Sequence, residues 1–186
     1  MSNKLIRPSQ QGSQRITWDD VPNPTAEVTA FESQNNFTLP NDYRRFILNY
    51  NGGRVYPCMF KYTVPLEIYP SAEPVTFLDP LYDWAFAMQI WNGEIYPGSN
   101  PPNMLAIGSD PGGLQVLLSL QKDSFGKIFT WVQSQESWGA ENNDTIYPQA
   151  ASFREFMDSL YDNADKDAYE YWHRPGLAHL ERKLEI

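Results

Sequence analysis

The stretch from Phe37 to Gly53, FTLPNDYRRFILNYNGG, limits what the chain can fold into more than any other. Pro40 suits the first turn of a helix, where its missing N–H leaves no bond unmade, and Asn41 offers a cap. Tyr43, Phe46, Ile47 and Tyr50 then fall at i, i+3, i+4 and i+7. That spacing places all four on one helical face, so the face is predicted to be buried with Arg44 and Arg45 pointing elsewhere. Asn51, Gly52 and Gly53 form the exit. The two glycines end the helix because they take positive φ without the penalty a Cβ brings.

Upstream, residues 1–15 are polar and aperiodic and are expected to form a flexible tail. Asn23 and Pro24 can cap and start a helix through about Asn35, with Val28 and Phe31 on its apolar side. Downstream of Gly53 come short extended segments broken by prolines: Val55 and Tyr56, Phe60 to Tyr69, and Val75 to Leu78. Asp79 and Pro80 suit the cap and first turn of a helix carrying Leu81, Trp84, Ala85, Met88 and Trp91 on one face, stopped by Asn92 and Gly93. Three β runs follow, MLAIG, LQVLLSL and KIFTWV, joined by the turn-forming SDPGG and QKDSFG, which reads as an antiparallel meander. In the last run Ile128, Thr130 and Val132 face one way and Phe129 and Trp131 the other, as in a strand covered by helices on at least one side. Ser152 and Glu155 have capping-box spacing ahead of the stripe Phe153, Phe156, Met157 and Leu160. Residues 163–186 read as an extension with its own short helix. Its Tyr169, Trp172, Leu177 and Leu180 must bury on the body or on a second subunit.

At 186 residues the chain fits one domain, large enough to bury about 70% of its unfolded surface. No apolar run approaches a membrane span, and the opening MSNKLIRPSQQGSQ lacks the apolar core of a signal peptide. With a single cysteine, Cys58, no internal disulfide can form, so a reducing, cytoplasmic setting is expected. The formal charge is −9, and residues 1–15 hold Lys4, Arg7 and Arg15 with no acid, leaving −12 on the remainder. Such a chain repels phosphate backbones and attracts a basic partner. His173 and His179 do not share a helical face, and no HExxH, Cys/His ladder, phosphate loop or Gly-x-Ser-x-Gly elbow occurs, so no metal, cofactor or catalytic residue is assigned.

The ordered set LP-x-x-Y-x-x-F, NGG, Ile107-Gly108-Ser109-Asp110, Gly126-x-Ile128 with Trp131, and Ser152-Phe153-x-x-Phe156 resembles the SUKH superfamily over residues 16–162. That superfamily groups the Smi/Knr-type fungal cell-wall synthesis regulators with bacterial immunity proteins that neutralise polymorphic toxins. The resemblance implies a single α+β domain, with a mixed or mainly antiparallel sheet flanked by helices, and no enzymatic activity. The extension 163–186 lies outside its pattern. Read physically, Leu39, Pro40, Tyr43, Phe46, Asn51, Gly52, Gly53, Gly108, Trp131, Phe153 and Phe156 set turns or fill the core.

Recognition is then expected on exposed loops. The candidates are Glu94 and Tyr96 in WNGEIYPGSN, Asp110 in the first hairpin turn, and Trp138, Glu141 and Asp144 in WGAENND. Rings supply buried area and carboxylates pair with Lys or Arg of a partner. The other reading is that Tyr96 and Trp138 cover the core beneath long loops. The expected function is an immunity-type protein that occludes a toxin domain, with a basic nuclease favoured by the charge alone. The alternatives are a regulatory or scaffolding module unrelated to toxins, and an enzyme or small-ligand binder using the aromatics around Trp84 to Trp91.

Overall fold

The computed structural model describes residues 4–9, 17–62, 74–162 and 176–186. The expected strand beyond Tyr62, most of the expected tail, and Tyr169, Trp172 and His173 lie outside them. The elements are β1 (Leu5–Arg7), α1 (Thr25–Asn35), α2 (Asn41–Tyr50), β2 (Arg54–Tyr56), β3 (Met59–Lys61), β4 (Val75–Phe77), α3 (Trp84–Trp91), β5 (Met104–Ser109), β6 (Leu114–Ser119), β7 (Ile128–Val132), β8 (Tyr147–Ala150), α4 (Phe153–Ser159) and β9 (Arg182–Lys183). All the sheets are antiparallel: β5-β6-β7-β8 in order, the pair β3-β4, and β2-β1-β9. This is an α+β fold.

The helix α2 buries Tyr43, Phe46, Ile47 and Tyr50, the face its spacing predicts. Phe153 of α4 packs edge-on to Tyr43 at 5.3 Å and lies 5.1 Å from Phe46. On the other side Glu32 of α1 accepts from the Leu39 N–H at 2.8 Å and pairs with Arg44 Nε at 2.9 Å, tying α1, the Leu-Pro turn and α2 together. The left-handed residue that closes α2 is Asn51 (φ 44°), one position before the glycines. Its side chain joins three segments, donating to Pro22 O at 3.0 Å and accepting from the Trp84 N–H at 2.8 Å. Gly52 follows at φ 84°, with Asp83 N only 2.6 Å from where a Cβ would sit. The motif thus lets the segment before α3 pass against the end of α2.

That segment corrects one expectation. Asp79 and Pro80 do not open α3, because the backbone of Leu81 is already paired with Gly53 in both directions and Tyr82 N–H donates to Ile107 O. The helix begins only at Trp84, where the Asp83 side chain accepts from the Phe86 N–H at 2.8 Å. Its buried residues are Trp84, Ala87 and Ile90, while Ala85 is exposed. Gly108 is required where Pro80 O comes within 2.9 Å of its would-be Cβ.

The tail is also not wholly a tail. Leu5–Arg7 is the middle strand of β2-β1-β9, with Ile6 fully buried, because it pairs with the NGG exit strand on one edge and the last strand on the other. In the described part of the extension, residues 178–180 form a single 3-10 turn and Arg182–Lys183 a strand; the rest of the extension in which a short helix is expected lies outside the described residues.

The meander carries apolar side chains on both faces. Leu105, Ile107, Val116, Leu118 and Ile128 point to the main core with α1, α2 and α4. Met104, Ala106, Leu117 and Trp131 point to a second cluster with Tyr82 and Ile90. Two loops, and α3 through Phe86 and Ile90, cover this outer face.

Candidate functional site

The loops are residues 92–103, between α3 and β5, and 133–146, between β7 and β8. The first turns sharply: Gly93, Tyr96, Gly98 and Asn103 all have positive φ, between 57° and 75°. Asn143, 1% exposed, fastens the second loop to the first and both to the sheet. Its Oδ1 accepts from Trp131 Nε1 at 2.8 Å, and its amide nitrogen donates to Ser99 O at 2.8 Å and Glu136 O at 2.7 Å. Only a carboxamide can both accept and donate in this way. A further backbone bond, from Trp138 N–H to Gly98 O at 2.8 Å, closes the join.

Five of the six residues expected at a recognition surface lie on this cap. Tyr96 and Trp138 are half-buried against the second cluster, the Tyr96 ring edge-on to Trp131 at 6.3 Å. They therefore both cover the core and stay partly exposed. Glu94, Glu141 and Asp144 are exposed, Glu141 at φ 49° and Asp144 accepting from the Thr145 hydroxyl. Asp110 stands apart. Its Oδ1 accepts from the N–H groups of Gly112 and Leu114, both at 2.8 Å, and its Oδ2 from the Thr76 hydroxyl, so its carboxylate builds the hairpin and holds β4 to it.

Sequence reasoning missed Asn143, which carries no periodic signal, and Glu136, a fourth exposed acid on the same cap. It also missed how the charge is laid out. No lysine or arginine occurs from residue 62 to 121 or from 128 to 153, a span that includes both loops. The basic side chains gather elsewhere: Arg45, Arg154 and Lys183 line a depression of ≈ 360 Å³ with Asp158 and Glu185, at α2, α4 and β9 on the helical side of the sheet.

The motif residues Leu39, Tyr43, Phe46, Trp131, Phe153 and Phe156 are all at most 1% exposed. Burial pushes the Tyr43 phenol above its ordinary range, with Asp83 adding to the effect, and pushes the Cys58 thiol up to about 11. Neither group is poised to act as a nucleophile. Among the described residues no group of three or more His, Cys, Asp or Glu could hold a metal ion, and no helix is long and apolar enough to cross a membrane.

A sequence model of the SMI1 / KNR4 family (SUKH-1) matches residues 22–159, from just before α1 to the end of α4. No curated protein matches the chain.

Proposed function

Because the chain belongs to the SMI1 / KNR4 family (SUKH-1), we propose that it is a non-enzymatic, immunity-type protein that binds a bacterial toxin domain in the cytoplasm and blocks it. The observation that carries this reading is the loop cap: four exposed acids, Glu94, Glu136, Glu141 and Asp144, around the half-buried rings of Tyr96 and Trp138, with no basic residue in either loop. Rings at the centre of an interface supply desolvated area, and acids at its rim pair with lysine and arginine. Charge of one sign also speeds association with an oppositely charged partner, by about 10 to 10³ fold. A basic nuclease domain is the toxin this charge favours, and occlusion of its substrate channel is the mechanism.

The test is co-expression of the tagged protein with the product of the adjacent gene, scored by growth and by recovery of a stoichiometric complex. Rescue with a complex is the expected result. If growth is not rescued and no complex forms, the reading is overturned in favour of a regulatory or scaffolding module, whose partner is then sought in whole-cell extract.

A further inference from the structure

The chain contains two Asn-Gly pairs, Asn51-Gly52 and Asn92-Gly93. Such a pair is chemically distinctive because glycine, with no Cβ, leaves its amide nitrogen open to the preceding side chain and its backbone free to turn toward it. The structure treats the two in opposite ways. At Asn51 both ends of the carboxamide are engaged, with Pro22 O at 3.0 Å and the Trp84 N–H at 2.8 Å. Gly52 beside it is hemmed in, with Asp83 N and Tyr82 C at 2.6 and 2.7 Å from where a Cβ would sit. Asn92, by contrast, is exposed, and neither end of its carboxamide has a hydrogen-bond partner among the described residues. Around Gly93 there is room: the atom nearest its would-be Cβ is Pro97 Cα at 3.9 Å. What holds Gly93 is the end of α3, through its own N–H to Ile90 O at 3.0 Å and the Glu94 N–H to Gln89 O at 2.9 Å. A terminal helical turn opens at lower free energy than a junction of three packed segments.

We propose that Asn92 is a site of spontaneous deamidation, which adds a negative charge to the loop cap as the protein ages. Once the last turn of α3 opens, the Gly93 nitrogen gives up its proton to solvent base and attacks Asn92 Cγ. The new bond closes a succinimide ring, and the side-chain nitrogen leaves as ammonia. Water then opens the ring. Breaking the bond from nitrogen to Cγ leaves aspartate; breaking the bond from nitrogen to the main-chain carbonyl carbon of residue 92 leaves isoaspartate, with the chain rerouted through the side chain. Nothing is oxidised or reduced, and water is the only co-reactant. Either product places a carboxylate close to Glu94 in the first of the two loops. The reaction needs no partner, so it stands or falls separately from the proposed function.

The full chain is incubated at physiological temperature in neutral and in mildly alkaline buffer, with a parallel sample in concentrated urea. After digestion, asparagine, aspartate and isoaspartate at both pairs are quantified by chromatography and mass spectrometry. In urea the two pairs are expected to react at rates within about threefold of each other. In the native protein Asn92 is expected to react at least about tenfold faster than Asn51, and faster still in alkali. Isoaspartate is expected beside aspartate, because the ring opens at either carbonyl. No native reaction at Asn92, equal native rates at the two pairs, or aspartate without isoaspartate overturns the proposal. Asn92→Gln, a change at an exposed side chain, is expected to abolish the acidic species that accumulates on ion exchange without moving the thermal midpoint. Persistence of that species in the variant places the new charge on another residue and likewise overturns the assignment.

Discussion

Two asparagines carry more of this structure than any charged residue. Asn51 holds a left-handed turn and links the segment before α1, the end of α2 and the start of α3; Asn143 links two loops to Trp131. Replacing Asn143 by Asp keeps an acceptor for the indole but sets a carboxylate against two carbonyl oxygens. Asn143→Asp is expected to destabilise by on the order of 2–4 kcal/mol in chemical denaturation, and to red-shift tryptophan emission as the cap loosens. Cys58 leads to a different kind of prediction. Its thiol titrates at about 11 in the fold against 9.0 in the open chain, chiefly through burial, so the folded state holds its proton more tightly. The stabilisation is complete below pH 9 and is lost as pH rises through 11. Between pH 8 and pH 11 the native protein should lose about 2–3 kcal/mol that Cys58→Ala does not lose. Lys4, whose pKa burial lowers, works in the opposite direction but is present in both proteins and drops out of the comparison.

Among the elements, those with full periods and marked ends were legible in the sequence. The helices α2 and α4 and the strands β5, β6 and β7 each combine an apolar repeat with a cap or turn. The short strands β1, β8 and β9 were not, because two to four residues span too few repeats to register, and β1 and β9 pair with each other from opposite ends of the sequence. The start of α3 was misplaced for a related reason: Asp-Pro is good cap chemistry, but the backbone bonds of Leu81 to Gly53 are tertiary and leave no local trace. At the candidate site, acids and rings in loops could be picked out. That Asp110 spends its carboxylate on its own hairpin could not. The strand β9 is held by Tyr50, whose hydroxyl donates to Lys183 O and accepts from the Glu185 N–H, by Arg182 stacked 4.6 Å over Trp18, and by buried Leu184. Leu184→Ala should cost about 2–4 kcal/mol. Amide exchange at residues 5–7 is expected to speed up most, while β6, at the centre of the meander, stays protected.

Across the whole molecule, the exposed acids Glu94, Glu136, Glu141 and Asp144 crown the outer face of the meander, and the basic residues Arg45, Arg154 and Lys183 lie on the helical side. If this layout steers a basic partner, Glu141→Lys together with Asp144→Lys should slow association several-fold at low salt and flatten its dependence on ionic strength, with dissociation little changed. Stopped-flow mixing across a salt series measures both; an unaltered on-rate would remove these two acids from the steering. The pairing of Leu5 with Lys183 has a consequence in time as well as space. A ribosome adding about 5–20 residues per second makes β1 roughly 10–35 s before its outer neighbour exists. For that interval one edge of β1 lacks its partner strand, and only Arg182 and Lys183, made long after it, can close it.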